Sequence, residues 1–125
     1  MSHFLIDTSI WVDFFRNSAS NILDEAVIRS AVVSYVTLAE LMQGARNNWE
    51  KKQIVTACNL AQLDFGSPTI SQLSIWLIDS YGLSHGMGVI DAIIAATALE
   101  HDLTLVTLNL KHFTCVAGLR VQLTV

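Results

Sequence analysis

Asp7, Glu40 and Asp91 are three carboxylates from distant parts of a chain that carries few charges. Each falls where a predicted strand gives way to a helix, or near a predicted helix start. A carboxylate there points away from the core, at the rim of an α/β sheet. Three of them gathered at one rim repel each other at neutral pH, so a positive partner is required to keep all three ionised. A hard divalent cation with oxygen ligands meets that requirement. The chemistry it suggests is metal-assisted attack on a phosphate ester.

Each acid also has an ordinary explanation. Asp7 suits a strand-terminating Asx turn. Glu40 stands three residues after Thr37, the spacing of a capping box. Asp91 suits a helix first turn, where the dipole favours negative charge. Their joint pattern is the stronger observation, because all three adjoin strongly apolar segments. Asp24, Glu25, Glu50, Glu100 and Asp102 lie in polar surroundings and read as solvated surface. Asp13, Asp64 and Asp79 fit either description. No residue combination suggests a covalent nucleophile, and the four histidines lack metal-ligand spacing. His112 falls near the predicted pocket and is read as a surface or packing residue. Arg16, Arg46, Lys51, Lys52 and Lys111 are candidates for phosphate contacts, with Lys51-Lys52 read as a solvated face. Such contacts position a nucleic acid without specifying its sequence.

The elements that must position these groups follow from pattern. His3 to Ile6 reads as a short buried strand, and Ser9 as the N-cap of a helix from Ile10 to Phe15. A second short helix is expected over Ser20 to Ile28, then a β-branched strand from Ala31 to Tyr35. Thr37 opens a helix reaching about Arg46, and Trp49 to Leu63 is helical, with a short strand over Leu63 to Phe65. Beyond the Gly66-Ser67-Pro68 break, Thr69 to Leu83 is a helix. Its apolar stripe comprises Ile70, Leu73, Trp76, Leu77 and Tyr81, and Ile75 and Ile78 widen it, which suits cover on more than one side. Val89 to His101 is the next helix, Thr104 to Thr107 a strand, Asn109 to Phe113 a loop or short helix, and Leu119 to Leu123 a last strand. Strands alternating with helices imply a mostly parallel sheet covered on both faces. Sites in such folds gather beyond the carboxyl ends of the strands.

The chain has 125 residues, enough for one domain with a real core, and residues 1–125 are read as that single domain. Apolar residues make up 52% and charged residues 14%, with mean hydropathy +0.47. That charge-poor balance points to apolar surface covered by a partner or a second copy. No apolar run reaches membrane-spanning length, since Asp79 and Asp91 interrupt the best candidates. The first fifteen residues hold Asp7 and Asp13 and no early positive cluster, so a cytoplasmic location is expected. Cys58 and Cys115 then read as reduced structural thiols. A net charge of −4 excludes a generic basic nucleic-acid binder; any such contact needs a local patch or a metal ion.

Four motifs occur in a fixed order: Phe4-Leu5-Ile6-Asp7-Thr8-Ser9, Thr37-Leu38-Ala39-Glu40-Leu41, Asp91 to Ala98, and Leu105 to Phe113. This ordered set resembles the PIN-domain family, and within it the VapC-type toxins of bacterial toxin–antitoxin pairs. The resemblance runs from Phe4 to about Leu123. It implies a three-layer α/β/α fold and an acidic pocket for Mg²⁺ or Mn²⁺. It also implies endoribonuclease activity that leaves a 5′-phosphate and a 3′-hydroxyl. Asp7, Glu40 and Asp91 match the acidic metal-site positions, and Thr8 and Thr107 match hydroxyl positions that organise the pocket. Many family members carry a fourth acid where this chain has Asn109, which offers a carbonyl oxygen but no charge. One metal ion is therefore expected rather than two. An RNA substrate, a cognate antitoxin and a homodimer are the implied partners. The alternatives are a PIN-type RNA-processing nuclease without an antitoxin and a catalytically inactive PIN-like binding scaffold. A phosphoacceptor receiver domain also uses strand-end acids, but it would want an acidic pair after the first strand and a lysine after a late one.

Overall fold

The structure is a computed structural model that describes residues 3–125. Five short strands, β1 (Phe4–Ile6), β2 (Val32–Ser34), β3 (Gln62–Asp64), β4 (Thr104–Val106) and β5 (Val121–Gln122), form one sheet in the order β3-β2-β1-β4-β5. All four pairings are parallel. β1 is central, with Leu5 opposite Val32 on one side and Leu105 on the other. Parallel strands need crossover connections, and helices supply them: α1 (Thr8–Arg16), α2 (Glu25–Ser30), α3 (Tyr35–Gln43), α4 (Asn48–Leu60), α5 (Pro68–His85), α6 (Val89–Glu100) and the single turn α7 (Leu110–Phe113).

Alternation along the strands splits the core in two. Leu5, Val32 and Leu105 pack with Ile70 and Leu77 of α5 and Ala92, Ile94, Ala95 and Ala96 of α6. Ile6, Val33 and Val106 point the other way, onto Ile10 and Trp11 of α1, Leu41 of α3, and Ile54 and Cys58 of α4. The period of two along each strand therefore builds the expected three layers. The small residues of α6 are buried, and the alanine face lets that helix lie close to the sheet. Among the described residues no helix is long and apolar enough to cross a membrane.

Several boundaries differ from the sequence reading, and the caps explain them. α1 starts at Thr8 because Asp7, not Ser9, is its N-cap, accepting from the Ser9 amide at 3.3 Å. α3 starts at Tyr35 because Ser34 accepts from the Val36 amide at 3.3 Å, which shortens β2 to three residues. Thr37 thus lies inside α3, so the Thr37–Glu40 capping box does not form. Gly44 ends that helix before Arg46. Asp24 caps α2 through the Val27 amide, moving that helix to Glu25–Ser30. α4 stops at Leu60, leaving Gln62–Asp64 for β3. On α5 the stripe is narrower than expected: Ile70, Ser74 and Leu77 are buried, while Trp76 and Ile75 are 54% and 72% exposed.

Candidate metal and nuclease site

Asp7 follows β1 directly, and its amide donates to the Val106 carbonyl at 2.9 Å. That last bond of the sheet places Asp7 at the carboxyl end of the central strand, beside β4. Its side chain is only 3% exposed. A buried carboxylate needs donors, and Asp7 Oδ2 has three: Ser9 Oγ at 2.6 Å, Thr107 Oγ1 at 2.8 Å and the Ser9 amide at 3.3 Å. All three bonds fall on Oδ2, so Oδ1 keeps its lone pairs. The donors are themselves held. Ser9 Oγ accepts from the Leu108 amide at 3.0 Å, and Thr107 Oγ1 accepts from the Asn109 amide at 2.9 Å. The segment after β4 is thereby tied to the start of α1.

Glu40 arrives from α3. Thr8 Oγ1 donates to Glu40 Oε1 at 2.9 Å and lies 2.9 Å from Thr37 Oγ1. With the Thr8 proton directed at the carboxylate, Thr37 is the donor in the second bond. Thr37 is fully buried, so the relay is fixed from below. Asp91 stands in the first turn of α6, whose N-cap Gly88 makes no side-chain capping bond. Asp91 Oδ2 lies 3.2 Å from His112 Nδ1 of α7.

Asp7, Glu40 and Asp91 line one hollow of about 560 Å³, together with Thr8, Asn109 and His112. The three acids are close enough to feel each other. Burial first, then the charge of Asp7 and least that of Glu40, raise the Asp91 carboxyl from its ordinary value, while His112 pulls it down. A concentration of negative potential at the carboxyl edge of a parallel sheet suits a cation and its phosphate ligand.

Three residues of this constellation take on roles that the sequence reading missed. Ser9, read as a cap, is instead a donor to Asp7. Thr37, read as a helix opener, carries the hydroxyl beneath Thr8. His112, read as a surface or packing residue near the predicted pocket, stands against Asp91. The signal for Ser9 was the pair of hydroxyls directly after a strand-end aspartate; Thr37 and His112 had no comparable signal, because their partners are 29 and 21 residues away in sequence.

A family model for the PIN domain matches residues 4–118. The chain belongs to the PIN-domain family. Ribonuclease VapC1 of Rickettsia felis is 33% identical to it, over 94% of this chain and 92% of the relative. Among solved structures, a toxin–antitoxin complex from Klebsiella pneumoniae holds a chain that is 30% identical, with TM-score 0.75 and 94% of each chain covered. VapBC-1 from nontypeable Haemophilus influenzae superposes with TM-score 0.77 at 23% identity, covering 95% of this chain and 96% of that one, a likeness of fold.

In this PIN domain, no three acidic, histidine or cysteine side chains among the described residues are drawn together tightly enough to enclose an ion by themselves. Magnesium does not ask for such a cage. It keeps several waters and takes one or two carboxylates at roughly 2.0–2.1 Å. The open lone pairs of Asp7 Oδ1, the partly exposed Asp91 and the carboxylate oxygens of the hollow fit a hydrated Mg²⁺ or Mn²⁺. Of the candidate phosphate contacts, Arg16 lines a small cleft shared with Thr8 and Glu40, its Nη2 3.3 Å from the Gly44 carbonyl. Arg46 is engaged with Glu50 at 2.6 Å, and Lys111 is exposed on α7 outside the lining of the hollow. Of the undecided acids, Asp13 accepts from Asn17 and Ser20, a local role, while Asp64 accepts from the Gly66 amide and lies 2.8 Å from His101 Nε2 across the chain; Asp79 is exposed.

Proposed function

We propose that this PIN domain is a Mg²⁺- or Mn²⁺-dependent endoribonuclease and the toxin of a toxin–antitoxin pair. The observation that carries the reading is the convergence of Asp7, Glu40 and Asp91, from three separate elements, on one hollow at the carboxyl end of the sheet. Asp7 through Oδ1, and Asp91, would hold the ion. When bound, it offsets the repulsion among the acids and the phosphate and eases ionisation of a water. Asn109, neutral where a fourth acid would add charge, favours one ion.

The remaining work belongs to the side chains. Thr8 fixes Glu40 Oε1, which leaves Oε2 to orient a water and accept its proton. The resulting hydroxide attacks phosphorus in line, the P–O3′ bond breaks, and the 3′ oxygen takes a proton from solvent. The products carry a 5′-phosphate and a 3′-hydroxyl. Arg16 binds a phosphate of the RNA at the mouth of the cleft it shares with Glu40. The Klebsiella structure is a toxin–antitoxin complex by name, and an antitoxin is proposed as the partner here as well.

The test is cleavage of RNA by the purified protein with Mg²⁺ or Mn²⁺. Asp7→Asn, Glu40→Gln and Asp91→Asn are each expected to lower the rate by about 10²-fold or more. Asp91→Asn relieves repulsion in the hollow, so its thermal stability without metal holds or rises. Full activity in Asp7→Asn and Asp91→Asn would remove the proposed site.

A further inference from the structure

We infer that His112 is a positioning residue for Asp91, fixing one carboxylate oxygen so that the other faces the ion. This rests on the reading of Asp91 as a metal ligand. His112 Nδ1 lies 3.2 Å from Asp91 Oδ2. A carboxylate only accepts, so the contact becomes a hydrogen bond when Nδ1 carries the proton, in the charged ring or in the Nδ1–H tautomer. The arrangement therefore needs no positive histidine.

The fold gives the ring a fixed place to stand. Its neighbour Phe113 is completely buried in the core that packs α5 and α6 on the sheet, and the two rings lie 6.4 Å apart. The His112 amide donates to the Asn109 carbonyl at 3.0 Å, closing the turn. Phe113 thus pins α7, and the preceding residue projects over the hollow. No lysine or arginine pairs with Asp91 among the described residues, so His112 is its single cationic or donor neighbour.

Asp91 has unusual need of such a partner. Asp7 is held by three donors and Glu40 by Thr8. Asp91, in the first turn of a helix whose cap is a glycine, receives no bond from a hydroxyl among the described residues. Without His112 its carboxylate is free to rotate about χ2, and both oxygens compete for the ion in several orientations. Partners that orient a metal ligand typically contribute 10–100-fold in metal affinity.

The experiment is Mn²⁺ titration followed by electron paramagnetic resonance, on the full chain, with no RNA present. His112→Ala is expected to weaken Mn²⁺ binding about tenfold. His112→Asn is expected to restore most of it, because the asparagine amide can occupy the Nδ1 position. His112 is more than half exposed, so both variants are expected to fold, with unfolding midpoints near that of the parent. Asp91→Asn is the control. If it leaves Mn²⁺ binding unchanged, the metal-site reading itself falls. If Asp91→Asn weakens binding while His112→Ala does not, only the positioning role falls. The positioning role falls equally if His112→Asn binds as weakly as His112→Ala, or if His112→Ala raises the KM for RNA with unaltered Mn²⁺ affinity.

Discussion

Thr107 carries no charge and is fully buried, yet it sets the orientation of the deepest acid in the hollow. Its hydroxyl donates to Asp7 and accepts from the Asn109 amide, so one oxygen links β4, the chain after it and the end of β1. Replacing it by valine keeps the shape and removes both bonds. A hydrogen bond to a charged group contributes more than a neutral one, and an orphaned buried partner adds its desolvation. Thr107→Val is therefore expected to lose about 1–3 kcal/mol of unfolding free energy in urea at neutral pH. An unchanged midpoint would mean that Ser9 alone holds Asp7. Cys58 illustrates the opposite case, a buried group with nothing to do. Burial pushes its thiol up to about 12, in keeping with a structural residue rather than a nucleophile.

At the scale of elements, the caps decide where each acid lands. Glu40 was legible as a candidate from its place between an apolar strand and a helix. Its true setting was not, because Ser34 and Thr37 both suit an N-cap and local sequence cannot choose between them. The choice is made by tertiary contact: Thr37 is buried under Thr8, which leaves Ser34 to cap α3. The order of strands and helices followed from hydrophobic period, whereas the β3-β2-β1-β4-β5 order depends on pairings between segments far apart in sequence. The start of α4 yields a test of the local account. Asn47 caps this helix through the Glu50 amide, and Glu50 in turn binds Arg46. The Arg46 guanidinium, and then its backbone amide, hold the Glu50 carboxyl down at about 2, against an ordinary value of 4.5. A carboxylate depressed in the folded state stabilises fully above its unfolded pKa, and that contribution is lost as pH falls from about 4.5 towards 2. Most of the Arg46 guanidinium is exposed, so salt screens the effect. The stability difference between the parent and Glu50→Gln is expected to shrink through that window in thermal melts. A difference constant across the acid range would show that the ion pair contributes nothing to α4.

At the scale of the whole molecule, two apolar faces stand open on opposite sides of the sheet. One, of about 670 Å³, lies along α5 and α6 and is bordered by Phe65, Ile75 and Val89, which are 77%, 72% and 65% exposed. The other, of about 680 Å³, lies among α1, α2 and α4 and includes Phe14, Phe15, Ile28, Trp49 and Leu60. The second face leads to the acids. Phe15 and Trp49 continue into a cleft with Arg16 and Ile54, and Arg16 and Ile54 continue into one with Thr8 and Glu40. An extended antitoxin segment with apolar anchors in this groove would reach the hollow with its next residues. An arginine there would make charge-assisted bonds to the carboxylates proposed to hold the ion. The groove would take the proposed antitoxin segment, and the expected homodimer, if formed, would use the exposed α5–α6 face. Buried anchors dominate such interfaces, and rim ion pairs add little. Trp49→Ser is thus expected to weaken capture of an antitoxin tail by about 2 kcal/mol, roughly 30-fold by calorimetry, while sedimenting as the parent does. Ile75→Asp is expected to do the reverse, giving a monomer at micromolar concentration that still binds the tail. Tail binding unaffected by Trp49→Ser would overturn the groove as the antitoxin site, and a parent chain that sediments as a monomer would overturn the α5–α6 face as a dimer contact. Inhibition that survives replacement of every apolar anchor in the tail by serine would transfer the affinity from the groove to the arginine.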